Sequence, residues 1–179
     1  YYYIIFMLIK DVLGFKPIYG KHCYFAENST LIGDLVIGDY CSVWFQVVIR
    51  ADVNSIRIGD RVNIQDGAII HATYKRSSTT IGNDVSIGHN AIIHGCKIKN
   101  NVLIGMGSIV MDDCIIESNS IIAAGCVLPK GTNVPSGSIY GGVPGKLIKS
   151  MSDKNISEIK RIAKNYITYS SWFKTTKPQ

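Results

Sequence analysis

The sequence predicts an all-β fold: a three-sided prism of short parallel strands, with one amphipathic α-helix packed along it. Two patterns carry that expectation. An aliphatic residue returns every six positions over much of residues 20–145, and the apolar spacing becomes helical after Ser152. The 179 residues then divide into an N-terminal segment (1–19), the prism (20–145), and a C-terminal helix and tail (146–179).

The six-residue period is clearest from Ile81 onward. It reads IGNDVS, IGHNAI, a short IHGCK, then IKNNVL, IGMGSI, VMDDCI, IESNSI, IAAGCV, LPKGTN and VPSGSI. An earlier run holds IGDYCS from Ile37, VWFQVV, IRADVNSIR with three extra residues, IGDRVN, IQDGAI and IHATY. The first position is aliphatic and fills the core. The fifth is small in most hexads (Cys41, Val47, Ala68, Ala91, Ser108, Cys114, Ser120, Cys126) and is expected to fit a tight inward turn. Three hexads make one coil, and each coil buries its aliphatics only by stacking on the next.

The five cysteines follow from this register. Cys41, Cys114 and Cys126 occupy the small inward position and no CxxC occurs, so packing is the expected role. Unpaired cysteines suit a reducing compartment, and a cytoplasmic location is expected. At the start, YYYIIFML is apolar for only eight residues, too short to span a membrane, and lacks a signal peptide's basic flank. Met7 reads as a native start, so residues 1–6 are left out of the reading of the fold.

Charge is concentrated at the other end. Residues 1–145 carry 11 basic and 11 acidic side chains, whereas 146–179 carry 8 and 2, which accounts for the net +6. Aromatic residues do not interleave with a basic groove and no phosphate-binding loop occurs, so neither nucleic acid nor a nucleotide is expected as a partner. From Ser152, a plausible N-cap, Ile156, Ile159, Ile162, Ala163, Tyr166 and Ile167 form one helical face for packing on the prism.

The register also places three of the four histidines. Hexads opening at Ile49, Ile70 and Ile93 share one face, so Arg50, His71 and His94 form a column at about 4.8 Å per step. Hexads at Val43, Ile64 and Ile87 share the next face and stack Phe45, Asp66 and His89. His71 and His94 are therefore neighbours, with His89 around a corner. Zinc takes imidazole nitrogens at about 2.0–2.1 Å in a tetrahedron. Two stacked histidines can chelate one ion, and a third must come from another chain beside them. Three-fold symmetry then creates three shared sites, so His89 and His94 of one chain serve two different ions.

The hexads resemble the left-handed parallel β-helix of hexapeptide-repeat proteins, a hand opposite to the usual parallel crossover. Within that fold, Arg50-Ala-Asp52, Asn63-Ile-Gln65-Asp66-Gly67 with His71, and His89 followed five residues later by His94 resemble the γ-class carbonic anhydrases, nearest the subgroup with a short loop after the first histidine. The resemblance implies a homotrimer binding Zn2+ (or Fe2+ or Co2+) through His71, His89 and His94. It implies reversible CO2 hydration to bicarbonate, Gln65 bonded to the metal-bound water, Asn63 positioning substrate, and Arg50 paired across the interface with Asp52 or Asp66.

The sequence departs from the most active members of that class. Val53 stands where they carry a glutamate, and the loop after His71 is ATYKRSSTT (72–80), with no carboxylate to export a proton. Tyr74 is a poor substitute, with an unperturbed pKa near 10. Weak hydration is therefore expected. Three alternatives stand beside it: an acetyl-CoA-dependent acyltransferase, suggested by the fold and by GGVPGK at 141–146; a metal-dependent thioester hydrolase; and a binding or scaffold protein.

Overall fold

The computed structural model describes residues 7–174; the apolar N-terminal run and its proposed start are only partly inside it, since 1–6 lie outside the described residues. Its first coils contain β1 (Leu8–Lys10), β2 (Ile18–Tyr19), β3 (Tyr24–Phe25), β4 (Thr30–Ile37), β5 (Ser42–Val43) and β6 (Val48–Ile58). The middle coils contain β7 (Asn63–Ile64), β8 (Ile69–His71), β9 (Thr79–Ile81), β10 (Ser86–Ile87), β11 (Ile92–His94), β12 (Lys97–Ile98) and β13 (Val102–Ile104). The last contain β14 (Ile109–Val110), β15 (Ile115–Ile116), β16 (Ser120–Ile122), β17 (Val127–Leu128), β18 (Asn133–Val134), β19 (Ser138–Gly141) and β20 (Lys146–Ser150), followed by α1 (Asp153–Lys174).

These strands build a left-handed parallel β-solenoid of about seven turns with three faces. The first face stacks β1, the first half of β4 and of β6, then β8, β11, β14 and β17. On the second lie β2, the later halves of β4 and β6, then β9, β12, β15 and β18. The third runs from β3 through β5, β7, β10, β13 and β16 to β19, which β20 closes in antiparallel sense. Paired strands thus extend from β1, before residue 20, to β20, after residue 145.

The hexad register explains the core. Ile49, Ile64, Ile70, Ile87, Ile93, Ile104 and Ile116 are fully buried and stack along the axis. Position five is also inward and small. The tight turn, however, sits one residue earlier than the sequence suggests. Position four has positive φ at Tyr40, Gln46, Arg61, Gly67, Asp84, Asn90, Asn101, Gly107, Asp113, Asn119 and Gly125. Gly, Asn and Asp tolerate that conformation; Tyr40, Gln46 and Arg61 adopt it at a cost of about 1–2 kcal/mol each.

Side chains at position three tie coil to coil. Asp60 Oδ1 accepts from Asp39 N at 2.8 Å, Asn83 from Asp60 N at 2.8 Å, and Asn100 from Asn83 N at 2.8 Å. The cysteines pack as expected: Cys41, Cys96, Cys114 and Cys126 are buried and unbridged, and burial pushes the Cys96, Cys114 and Cys126 thiols above their ordinary pKa.

The helix begins where Ser152 caps it. Ser152 Oγ accepts from Asn155 N at 3.3 Å, and Asn155 Oδ1 accepts in return from Ser152 N at 3.1 Å. Ile159 and Ala163 are buried against the third face. Toward its end, Tyr166 and Phe173 meet Trp44 edge-on. Among the described residues, no helix is long and apolar enough to cross a membrane.

Candidate metal centre

His71 ends β8 and His94 ends β11, and the strands pair so that the two residues are direct neighbours. Their inward companions Ile70 and Ile93 are completely buried, which turns both imidazoles outward. Thr79 secures the base of the pair: its Oγ1 donates to the His71 carbonyl at 2.6 Å and accepts from Gly95 N at 3.0 Å. His89 lies in the turn between β10 and β11, on the corner shared with the third face. Among the described residues of one chain, no three metal-ligating side chains converge on a point. The chain brings His71 and His94 together and leaves His89 apart.

Each histidine is held by a carboxylate. His71 Nε2 lies 3.0 Å from Asp52 Oδ1, His94 Nδ1 lies 2.9 Å from Asp112 Oδ1, and His89 Nδ1 lies 2.9 Å from Asp66 Oδ2. A neutral imidazole bonded to a carboxylate keeps its proton on that nitrogen and leaves the other as a lone pair. The remaining nitrogens of His71 and His94 face each other at 3.1 Å. With both protons committed to carboxylates, neither can donate to the other. Two ligands on one tetrahedral zinc stand about 3.3 Å apart, so the paired lone pairs are spaced to share a cation.

At His71 the electrostatics favour the neutral ring. Burial pushes the His71 pKa below the usual imidazole value, with Arg50 adding to the effect and Asp52 opposing it. Burial disfavours the Asp52 anion, but hydrogen bonds from His71 and Arg50 outweigh it and hold Asp52 below its ordinary value. Arg50 pairs with Asp52 of its own strand. Asp66 is tied down by Phe45 N at 3.2 Å and reaches up one coil to His89.

Gln65 and Asn63 are buried, at 6% and 1% exposure, and Gln65 faces α1. Gln65 Nε2 donates to Asn63 Oδ1 at 3.0 Å, and Asn63 Nδ2 donates to Ser86 Oγ at 2.7 Å. Asn63 thereby orients Gln65. The loop after His71 is bound to the next coils by hydroxyls: Thr73 Oγ1 donates to Asp112 at 2.9 Å and Ser77 Oγ to Asp113 at 2.5 Å. Tyr74 projects from it, 61% exposed.

The reading of the sequence missed Asp112. It stands outside the motifs, yet it lies 18 residues beyond His94, about one coil on, which was the available signal. Its approach also requires Gly95, at φ +55°: a Cβ there would lie 1.9 Å from Asp112 Oδ1. GGVPGK spans the end of β19, the following turn and the first residue of β20.

One outward column of the first face is aliphatic. Val48, Ile69, Ile92, Ile109 and Val127 form a continuous ladder beside the His71–His94 pair. Ile69, Met106 and Met111 are exposed on the single chain.

Comparison with known proteins gives a consistent family. Residues 95–130 match the model of the bacterial transferase hexapeptide (six repeats). The chain is 40% identical over 157 residues to a probable carbonic anhydrase of Methanocaldococcus jannaschii, covering 88% of this chain and 98% of that protein. It is 36% identical over 164 residues to the mitochondrial γ carbonic anhydrase 2 of Arabidopsis thaliana, covering 89% of this chain and 59% of that protein. The chain thus spans about three-fifths of the length of that plant relative. A crystal structure of a putative acetyltransferase of Bacillus cereus superposes with a TM-score of 0.92 at 33% identity, covering 94% of this chain and 98% of that one.

Proposed function

This chain belongs to the γ-class carbonic anhydrase-like family of hexapeptide-repeat proteins, and from that premise we propose that it is a metal-dependent, carbonic anhydrase-like enzyme acting on CO2 and bicarbonate. The observation that carries the reading is the set of three histidines, each with one nitrogen committed to a carboxylate and the other left as a lone pair. That pairing is the usual environment of a metal-binding imidazole.

His71 and His94 would hold one ion together with His89 of the partner subunit. The aliphatic ladder is the surface that brings the subunits together, and a closed ring of three chains gives three equivalent sites. Zn2+ is the expected occupant, with Fe2+ and Co2+ suited to the same ligands; bound there, it supplies a Lewis acid that makes water nucleophilic at neutral pH. Asp52, Asp66 and Asp112 fix the imidazole tautomers. Gln65, held by Asn63, would orient the attacking water. Arg50 keeps Asp52 anionic and in place. The net reaction joins water oxygen to the CO2 carbon and releases bicarbonate and one proton. Val53 and the loop 72–80 offer no carboxylate to carry that proton away, so hydration is limited by its export.

Metal content per chain, measured alongside stopped-flow CO2 hydration, tests the proposal. About one metal ion per chain with metal-dependent hydration is expected. Wild-type protein that takes up no metal after reconstitution would sink it.

A further inference from the structure

A cleft of about 450 Å³ opens between α1 and the upper coils of the third face. It forms because the helix rests on its buried Ile159 and Ala163, while Ile162 and Tyr166 on the adjoining face stay only half-buried and overlook a gap. The floor is apolar, with Leu103 and Ala123. One end reaches His89 and Gln65, two residues of the proposed centre.

That volume corresponds to about fifteen water molecules at about 30 Å³ each, far more than three-atom CO2 needs. It lies in the range of small-molecule sites, about 300–1,000 Å³, which combine apolar walls with a few convergent polar groups. The polar groups here include Gln65 and, from the helix, Arg161, Asn165 and Tyr166. Gln65 is more than nine-tenths buried and lines the cleft at its His89 end. Tyr166 lines it from the helix, and burial pushes its pKa up to about 12, so its hydroxyl stays neutral and able to donate.

We propose that this cleft binds the apolar acyl group of a carboxylic ester or thioester, placing its carbonyl at the histidine centre. The inference rests on the metal-centre reading for its chemistry, but not for the binding itself. In the reaction, water oxygen bonds to the carbonyl carbon and the bond from that carbon to the alcohol oxygen or thiol sulfur breaks. The products are a carboxylate, an alcohol or thiol, and one proton released to solvent. No oxidant or reductant is needed.

The test uses the metal-loaded full chain with three probes: hexanoate, p-nitrophenyl hexanoate and S-hexanoyl-N-acetylcysteamine, with the corresponding acetyl compounds as controls. Hexanoate binding is followed by calorimetry and saturation-transfer NMR. Two variants fill the cleft from opposite walls, Ala123→Leu from the floor and Ile162→Trp from the helix, so that misfolding of one still leaves a test. Hexanoate should bind, and at least one hexanoyl compound should be cleaved with kcat/KM about tenfold or more above its acetyl control. Both effects should fall about tenfold or more in the folded variants while metal per chain is unchanged. Equal turnover of acetyl and hexanoyl probes, or hexanoate binding indifferent to both variants, overturns the acyl site and leaves the metal reading standing. Hexanoate binding by metal-loaded protein that cleaves neither hexanoyl compound overturns the proposed reaction and leaves the metal reading standing.

Discussion

The first and second faces of the solenoid share one backbone and one core, yet present opposite surfaces. Outward on the first are Val48, Ile69, Ile92, Ile109 and Val127. At the same levels the second shows Arg57, Thr80, Lys97, Ile115 and Asn133. The inward positions must be aliphatic for any coil to stack, so they carry no information about partners. The outward positions carry no such requirement, and there the sequence separates an aliphatic face from a polar one. The histidine pair sits on the aliphatic face.

The strongest way to break this comparison is to charge the aliphatic ladder. Ile92→Asp should convert the oligomer to monomer in sedimentation velocity and abolish metal uptake with it, since a desolvated carboxylate costs several kcal/mol at an interface. If subunit association survives Ile92→Asp, the ladder is not the contact surface.

The centre itself responds next. Asp112→Asn retains an oxygen near His94 but removes the charge that fixes its tautomer. Metal affinity, measured by competition with a chromophoric chelator, should drop about 10- to 100-fold with the oligomer intact. Nitrogen chemical shifts of His94 should show mixed tautomers; an unchanged tautomer and affinity would remove Asp112 from the account.

A smaller effect is expected at the corners. Gln46 adopts φ +60°, where asparagine is better tolerated. Gln46→Asn should stabilise the fold by about 0.5–1 kcal/mol in urea denaturation, and a loss of stability would contradict the assignment of strain at position four. The control on the second face, Lys97→Asp, should move stability by no more than about 0.5 kcal/mol and leave association untouched; a monomer there would erase the contrast between the faces.

Much of this arrangement was legible because a solenoid turns sequence separation into geometry. Once Ile70 and Ile93 were placed one coil apart, the adjacency of His71 and His94 followed, as did the separation of His89. Three features were harder to read. The left-handed turn at position four was masked by Tyr40, Gln46 and Arg61, side chains that seldom adopt it. Asp112 belongs to no motif and is aimed at His94 only because Gly95 leaves room. Strand β20 comes from KLIKS, whose five residues are all exposed, so no buried face imposed a period on them. Asn63 shows a further limit: the family resemblance pointed to it, but its hydrogen bonds to Gln65 and Ser86 could not be read.

The central claim is that the metal site is shared between chains, and subunit mixing tests it most directly. His89→Ala and His94→Ala proteins are prepared separately, then unfolded and refolded together at equal ratio with zinc present. Neither variant alone should hold metal. In randomly mixed trimers, about a quarter of the interfaces pair an intact His89 with an intact His71–His94 pair, so about a quarter of wild-type zinc should return. Mixed protein as empty as its parents, or either parent fully loaded by itself, would contradict a site built from two chains.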